Sequence, residues 1–438
     1  MNNLNIWWLS QYASTPDQQF TTQYDLAKRL VQKGHRVTFF ASGFSHYKFK
    51  EIRLQPGEMS RVEEFEGVRF VWIKTPAYNA NNWQRVINML AYAWRAYRLA
   101  LKQKEAPDVI IGTTFHPLAS LAAWALARAK RRPFIFEVKD LWPLTMVEFG
   151  RLSPRSPITR AMRVLEKHLA RKSARIMTTL PGASDYYAQF GVPRDRIVWI
   201  PNGLELARYQ SLKPYDGQIS GTCTLVYAGG HVEAFPLDTI LQAARIEQQN
   251  EDRVRFLFIG SGQEKPRLVR LAQGLELRNV EFRDAVPKTE LYKIMEKADA
   301  FILAMRDLPG LYRYGISFNK LCDYVACGRP VLFAGSVSHN VVEDFECGIV
   351  IPPQDPKAVA SAIDKFLSLT PQERAQMGRN GIRCARERFD IDILASRLEE
   401  MLLSVADHSA GSLKAAQESE ISLAEDSEQA PISQATSP

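Results

Sequence analysis

Short apolar runs recur along the chain, separated by longer stretches with helical periodicity. Ile6–Leu9, Val37–Ala41, Val68–Ile73, Val109–Gly112, Phe134–Val138, Arg175–Thr179 and Ile197–Ile200 predict strands in the first half. Thr224–Tyr227, Val254–Ile259, Val280–Phe282, Ala300–Leu303 and Pro330–Phe333 repeat the rhythm in the second. The intervening patterns predict helices, such as Thr22–Lys33, which Gly34 closes. Strands that alternate with helices imply parallel sheets covered on both faces. Two such series imply an α/β protein of two doubly wound, Rossmann-like domains, 1–205 and 206–386, joined where turn residues cluster over Asn202–Ser220. A final amphipathic helix is expected over 387–405, with Ile393, Leu394, Leu398, Met401 and Leu402 on one stripe. Residues 406–438 hold few large apolar side chains and predict a disordered acidic tail, to which no role is assigned.

Composition narrows the class. A chain of 438 residues with 46% hydrophobic and 24% charged side chains is globular, neither fibrous nor mostly disordered. Its formal charge of +8 is uneven: +14 over 1–205, −1 over 206–406 and −5 over 407–438. No run approaches the ~20 apolar residues that span a bilayer. Ile6–Leu9 has no basic residue before it and is too short for a secretory signal, so a cytoplasmic protein is expected. Five cysteines, all in the second half and without a C-x-x-C pair, fit buried thiols better than disulfides or zinc. The basic half offers neither aromatic RNA-stacking motifs nor a helix-turn-helix, so nucleic acid is not an expected partner.

Candidate chemistry sits where strands feed helices, since doubly wound sheets bind ligands beyond the carboxyl ends of their strands. Ser10–Thr22 offers hydrogen-bonding side chains but no glycine pair, and an ordinary connection is the alternative. His116, in Gly112-Thr-Thr-Phe-His-Pro117, stands at a strand's end, where a histidine can touch a ligand and titrate near neutrality; a satisfied structural histidine is the alternative. Glu137 and Asp140 leave the next strand three residues apart, either as a base with its orienting partner or as a buried pair neutralised by Lys139 or Arg151. Gly229-Gly230-His231 and Gly260-Ser-Gly262-Gln-Glu-Lys265 permit close backbone approach, with Lys265 as a point charge for a diphosphate. Arg313, Ser317, Asn319 and Lys320 crowd the start of a helix over Lys320–Ala326; Ser317 is the expected cap, and Asp323, one turn in, can accept from a ribose diol. The sole Asp-x-Asp, Asp390-Ile391-Asp392, opens the last helix, so no metal-bridged diphosphate is expected.

These blocks resemble the retaining glycosyltransferases of family 4, which have the two-domain GT-B fold. The subgroup most alike is that of bacterial O-antigen and capsule sugar transferases, including L-fucosamine transferases. The resemblance rests on Tyr24–Thr38, Pro107–Pro117, Phe136–Pro143, Val198–Gly203, Leu311–Tyr324, Gly328–Val331 and Ile351–Pro356, in order over roughly 1–405. It departs from the family at Gln19–Gln23, where a glycine pair and an arginine are common, and at Gly315, where the first of two glutamates stands. His231 replaces a frequent basic residue, and Phe318 a proline.

The resemblance implies that the C-terminal domain holds a nucleoside diphosphate sugar, expected to be UDP-linked, and that the N-terminal domain receives the acceptor. Lys265 then lies near the diphosphate, Asp323 at the ribose, Ser317–Lys320 at the phosphates, and His116 near the transferred sugar, with Glu137 and Asp140 orienting the acceptor. The expected acceptor is a lipid-linked saccharide, with no metal or other cofactor. The segment Trp83–Gln103 mixes Trp83, Val86, Ile87, Leu90 and Trp94 with Arg85, Arg95, Arg98 and Lys102, which suits an interfacial helix on the inner face of an anionic membrane; a core helix with a basic outer face is the alternative. Two rival functions are a nucleotide-sugar epimerase of the same fold and a non-catalytic assembly partner.

Overall fold

The computed structural model describes residues 3–17, 21–46, 48–80, 82–249 and 253–407. Two twisted sheets dominate it. In the first half, Asn5–Leu9 is central, flanked by Arg36–Ser42 and Val109–Thr113. Val68–Ile73 follows on one side, and Phe134–Val138, Arg175–Thr178 and Ile197–Trp199 follow on the other, all parallel. In the second half Cys223–Ala228 is central, with Val254–Ile259 and Val280–Arg283 to one side and Ala300–Ala304, Val331–Ala334 and Gly348–Ile351 to the other, again all parallel. By position along the chain the second sheet runs 3-2-1-4-5-6, the doubly wound order whose switch point lies between its first and fourth strands. Central strands such as Asn5–Leu9 and Ala300–Ala304 are buried at every residue, which is why they read as unbroken apolar runs.

Among the described residues four strands escape the sequence pattern, two of them the short antiparallel pair Phe44–Ser45 and Lys50–Glu51. Ser60–Phe65 pairs antiparallel with Val68–Ile73 at the sheet edge, where its charged residues remain partly in water. Gly348–Ile351 is a four-residue edge strand too short to show a period.

The end of the chain also differs from expectation. A π-helical turn over Ala385–Phe389 follows the helix Pro371–Cys384, and a new helix runs over 391–407. Ile391, Leu394, Leu398, Met401 and Leu402 are buried in one cluster with Ile6 and Trp8 of the first sheet, with Leu4 just before it and with Leu30 of the helix Thr22–Gln32. Ile393, expected on this stripe, is 45% exposed, because the register starts at Ile391 instead. The helix is pinned there by ion pairs from Arg29 to Asp392 and from Lys33 to Glu399. The expected tail, save its first residues, lies outside the described residues, as do positions 18–20 of the first loop. All five cysteines are free and buried.

Candidate active site

The carboxyl ends of the two sheets face one another, and each contributes a polar cluster to the space between. On the N-terminal side Glu137 ends the strand Phe134–Val138 completely buried. Its Oε2 accepts from Trp8 Nε1 at 2.7 Å, from Gln23 Nε2 at 2.7 Å and from Thr113 Oγ1. Lys139 Nζ stands 2.7 Å from Oε1. A carboxylate so enclosed is tolerable only because it is paired and hydrogen-bonded. Its oxygens are committed to protein donors, so its effect on a ligand runs through Gln23, Thr113 and Lys139. Arg151, the other expected neutraliser, turns away and meets Glu233 of the opposite half at 3.3 Å.

Asp140 has the opposite surroundings. It opens into a cavity of about 180 Å³ between the halves, lined by Lys139 and Phe149 on one side and by Ala234, Tyr312, Ser317 and Phe318 on the other. The crowding of the cleft walls raises its carboxyl pKa above the ordinary value, opposed in part by Lys139.

His116 precedes the helix Pro117–Ala129 and is buried. Gln11 Nε2 donates to Asn88 Oδ1 at 2.5 Å, so Gln11 turns its oxygen toward His116 Nε2. Asn88 in turn donates to Thr75 Oγ1 at 2.9 Å and to the carbonyl of Pro76 at 2.6 Å. This chain of donors assigns the proton to Nε2 and leaves Nδ1 as a lone pair, without a partner among the described residues. Burial, with a smaller contribution from the Arg85 cation, lowers the imidazole pKa to about 3. The expected titration near neutrality is therefore corrected: His116 is a neutral imidazole at physiological pH, an acceptor of fixed direction. Gln11 and Asn88 were not legible as site residues, because only the fold brings the first strand's end to the helix Trp83–Leu101. A second cavity, of about 120 Å³, opens beside Gln11 and Tyr12 and is lined also by Ser42 and His46.

On the C-terminal side the two glycine loops pack on each other. A Cβ at Gly260 would stand 2.0 Å from the carbonyl oxygen of Gly229, and one at Gly262 2.2 Å from that of His231. The glycines are thus first a condition of loop packing, while Gly230 stays exposed. Lys265 donates to the carbonyls of Gly260 at 3.0 Å and Arg283 at 2.8 Å and pairs with Asp284 at 2.6 Å, so here it ties strand ends together.

Lys320 is the cation left over. Its Nζ contacts Tyr227 Oη at 2.9 Å and lies 3.1 Å from the centre of the Phe235 ring, and a Cβ at Gly229 would meet its Cε at 2.6 Å. No carboxylate pairs with it among the described residues. Desolvation holds its pKa well below the usual lysine value. Beside it His231 is buried, both ring nitrogens unpartnered among the described residues, its pKa lowered to about 4 by burial and by the cations Lys265 and Lys320.

Lys320 belongs to the helix Asn319–Ala326, which is capped by no side chain. The expected cap is corrected: Phe318 occupies that position, and Ser317 Oγ is buried without a partner among the described residues. Asn319 is exposed at the first turn. Asp323 is buried one turn on, its Oδ1 accepting from Tyr209 Oη and, at 3.4 Å, facing Lys288. Arg313 does not join the group; it lies over the Tyr314 ring, whose hydroxyl also accepts from Gln189 of the other half. The same turn crosses between the halves, since Gly182 N–H donates to the Tyr314 carbonyl at 3.0 Å and Asn202 Nδ2 to that of Ser317 at 3.0 Å.

Residues 21–203 match the family described as glycosyl transferase 4-like domain, and residues 222–368 match glycosyl transferases group 1. The chain belongs to the family 4-like, group 1 glycosyltransferases of GT-B fold. The enzyme is 23% identical to a D-inositol 3-phosphate glycosyltransferase of Xylanimonas cellulosilytica, over 85% of this chain and 88% of the relative. It is 20% identical to WcaI of Escherichia coli K12, a protein named for colanic acid biosynthesis, over 70% of this chain and 79% of that one. Its fold is that of sucrose-phosphate synthase from Thermosynechococcus elongatus, at a TM-score of 0.71 and 17% identity, covering 91% of this glycosyltransferase and 98% of the synthase. It is also that of Anabaena HepE solved with UDP-glucose, at a TM-score of 0.66 and 14% identity, covering 92% and 100%. No described helix of the glycosyltransferase is long and apolar enough to cross a membrane.

Proposed function

We propose that this glycosyltransferase moves a sugar of the N-acetylated hexosamine or deoxyhexosamine type from a UDP-linked donor to a lipid-linked saccharide during O-antigen, capsule or exopolysaccharide assembly, with anomeric configuration retained. The observation that carries the donor assignment is Lys320, an amine with no carboxylate partner among the described residues, at an uncapped helix start beside Gly229. A diphosphate there restores the lysine's charged state and receives the free amides of the first turn. The UDP-glucose complex of HepE, a protein of the same fold, supports a uridine donor, and the likeness to WcaI supports a polysaccharide acceptor.

In the reaction proposed, the bond from the anomeric carbon to the diphosphate oxygen breaks and a bond to the acceptor hydroxyl oxygen forms on the same face. The acceptor proton passes to the departing diphosphate oxygen. Lys320 and the helix amides stabilise the charge growing on that diphosphate, and such preorganised electrostatics is usually the largest single contribution to catalysis. His116, its lone pair fixed at Nδ1, accepts a hydrogen bond from a hydroxyl of the bound sugar. Asp140, opening into the cleft, orients the acceptor. No metal is assigned: Asp392 of the sole Asp-x-Asp pairs with Arg29, away from the cleft.

The acceptor's lipid is consistent with the helix Trp83–Leu101. Trp83, Val86, Ile87, Leu90 and Trp94 are all exposed along it, while Asn88, Tyr92, Ala96 and Ala100 face inward. An outward apolar stripe followed by Arg98 and Lys102 suits the headgroup boundary of an anionic membrane.

The test is incubation of the enzyme with radiolabelled UDP-sugars and lipid-linked acceptors, followed by analysis of the linkage. Label in the lipid fraction with the donor's anomeric configuration is expected. An isomerised nucleotide sugar formed without acceptor, or donor binding without turnover on any acceptor, would count against the proposal.

A further inference from the structure

A second concave site lies at the far edge of the N-terminal sheet, where the strands begin and not where they end. There an open cavity of about 510 Å³ is lined by Arg128, Arg131, Arg132, Arg171, Lys172 and Arg196, with the ring of Trp124 on one wall. Phe134, which starts the strand Phe134–Val138, lines this edge, and Glu137 lies three residues further along the strand, roughly 10 Å away, with Asp140 beyond the strand's other end.

Cations commonly gather at helix C-termini, and the helices Pro117–Ala129 and Pro157–Lys172 both end here. That accounts for a basic residue at each end, but not for six converging on one concavity. Among the described residues, none of the six is within ion-pair distance of a carboxylate, although ion pairs are frequent elsewhere in the chain. Arg128 instead lies over the Trp124 ring at 5.7 Å, and Arg196 donates to the carbonyls of Arg171 and Ser173. Burial and the neighbouring Arg175 cation hold Arg196 below the ordinary arginine value, opposed in part by the Asp195 carboxylate.

We propose that this cavity binds a phosphoryl anion, as a second ligand site separate from the catalytic cleft. Planar guanidinium forks match phosphate oxygens in pairs, and the volume is that of a small-ligand site. Two sources share this chemistry: the phosphate of an anionic lipid headgroup, or a soluble phosphate compound. The lipid source has a second feature nearby. Lys130 Nζ donates to the carbonyl of Gln103, so the rim of the cavity adjoins the end of the helix that carries the exposed apolar stripe.

The test uses the full chain and the double variant Arg128→Ala/Arg171→Ala, both exposed positions outside the cleft, with Arg128→Lys/Arg171→Lys as a charge-conserving control. Pyrophosphate is titrated calorimetrically, and partition is measured on vesicles of phosphatidylglycerol with phosphatidylcholine and of phosphatidylcholine alone. Each cation near an anionic surface is worth roughly a factor of five, so the alanine pair is expected to lose about 25-fold in binding, and the lysine pair to keep most of it. Loss confined to phosphatidylglycerol vesicles assigns the lipid headgroup; loss confined to pyrophosphate assigns a soluble ligand. Both variants share the cleft, so the difference between them reports this cavity alone. Unchanged binding of both probes by the alanine pair, with a wild-type melting profile, would overturn the proposal whatever the transfer reaction proves to be.

Discussion

His116 hydrogen-bonds through Nε2 to the side-chain oxygen of Gln11, whose amide is held in turn by Asn88, so a histidine that could have titrated is locked as a neutral acceptor. Its folded pKa of about 3 lies below the ordinary 6.5, so between those values the unfolded chain binds the extra proton. Stability is therefore full above pH 6.5 and falls as pH drops toward 3.

His116→Ala is expected to lower turnover by about 10²-fold without introducing or removing an ionisation between pH 5.5 and 8. A pH–rate profile of both forms checks this, and a wild-type limb near pH 6.5 that vanishes in the variant would refute the neutral assignment. The variant should also flatten the fall of melting temperature below pH 6.5, in part only, since His46 and His231 are each lowered to about 4 as well.

Lys320→Met should separate binding from stability. The wild-type lysine is desolvated without a counterion, and its lowered pKa means that the unfolded chain holds the proton more tightly. Melting temperature at pH 7 is expected to rise in the variant, while UDP affinity falls by about tenfold or more. Thermal shift with and without UDP measures both; a variant that is destabilised yet binds UDP normally would contradict the role given to the amine.

Glu137→Gln should act on the scaffold. The amide oxygen can still accept from Trp8, Gln23 and Thr113, which all use Oε2, but the amide NH2 then stands at Oε1 against Lys139, which loses its counterion. A loss of about 3 kcal/mol in urea unfolding is expected, as for a buried pair that loses one partner. A stability change below about 0.5 kcal/mol would show that the enclosure is not the carboxylate's main role.

Leu90→Glu and Trp94→Glu alter side chains that are 51% and 60% exposed, so folding should be unaffected. Flotation with anionic vesicles should drop several-fold in each. Equal flotation of wild type and variants would remove this helix from any membrane contact.

Much of the candidate site was visible in the sequence because strand ends and glycine loops are local signals. His116, Asp140, Gly229 and Lys320 all fall at carboxyl ends of strands or at the helix start that follows them. Less visible was the division of labour. Lys265 and Lys320 look interchangeable as cations, yet one is tied to Gly260, Arg283 and Asp284 and the other has no carboxylate partner among the described residues. Glu137 and Asp140 look like a pair, yet one is sealed beneath Trp8 and the other opens into the cleft.

The sequence by itself determined the alternation of strands and helices and the two doubly wound halves, because apolar periodicity records which faces must be buried. Only the tertiary structure decided where each amphipathic element turns its stripe. The helix over 391–407 leaves the second half to cover the first sheet, since Ile6, Trp8 and Leu30 offer its apolar face a partner. The helix Trp83–Leu101 instead buries Asn88, Tyr92, Ala96 and Ala100 and exposes its tryptophans. Protonation followed the same rule: desolvation and a fixed donor chain, not residue type, made His116 neutral.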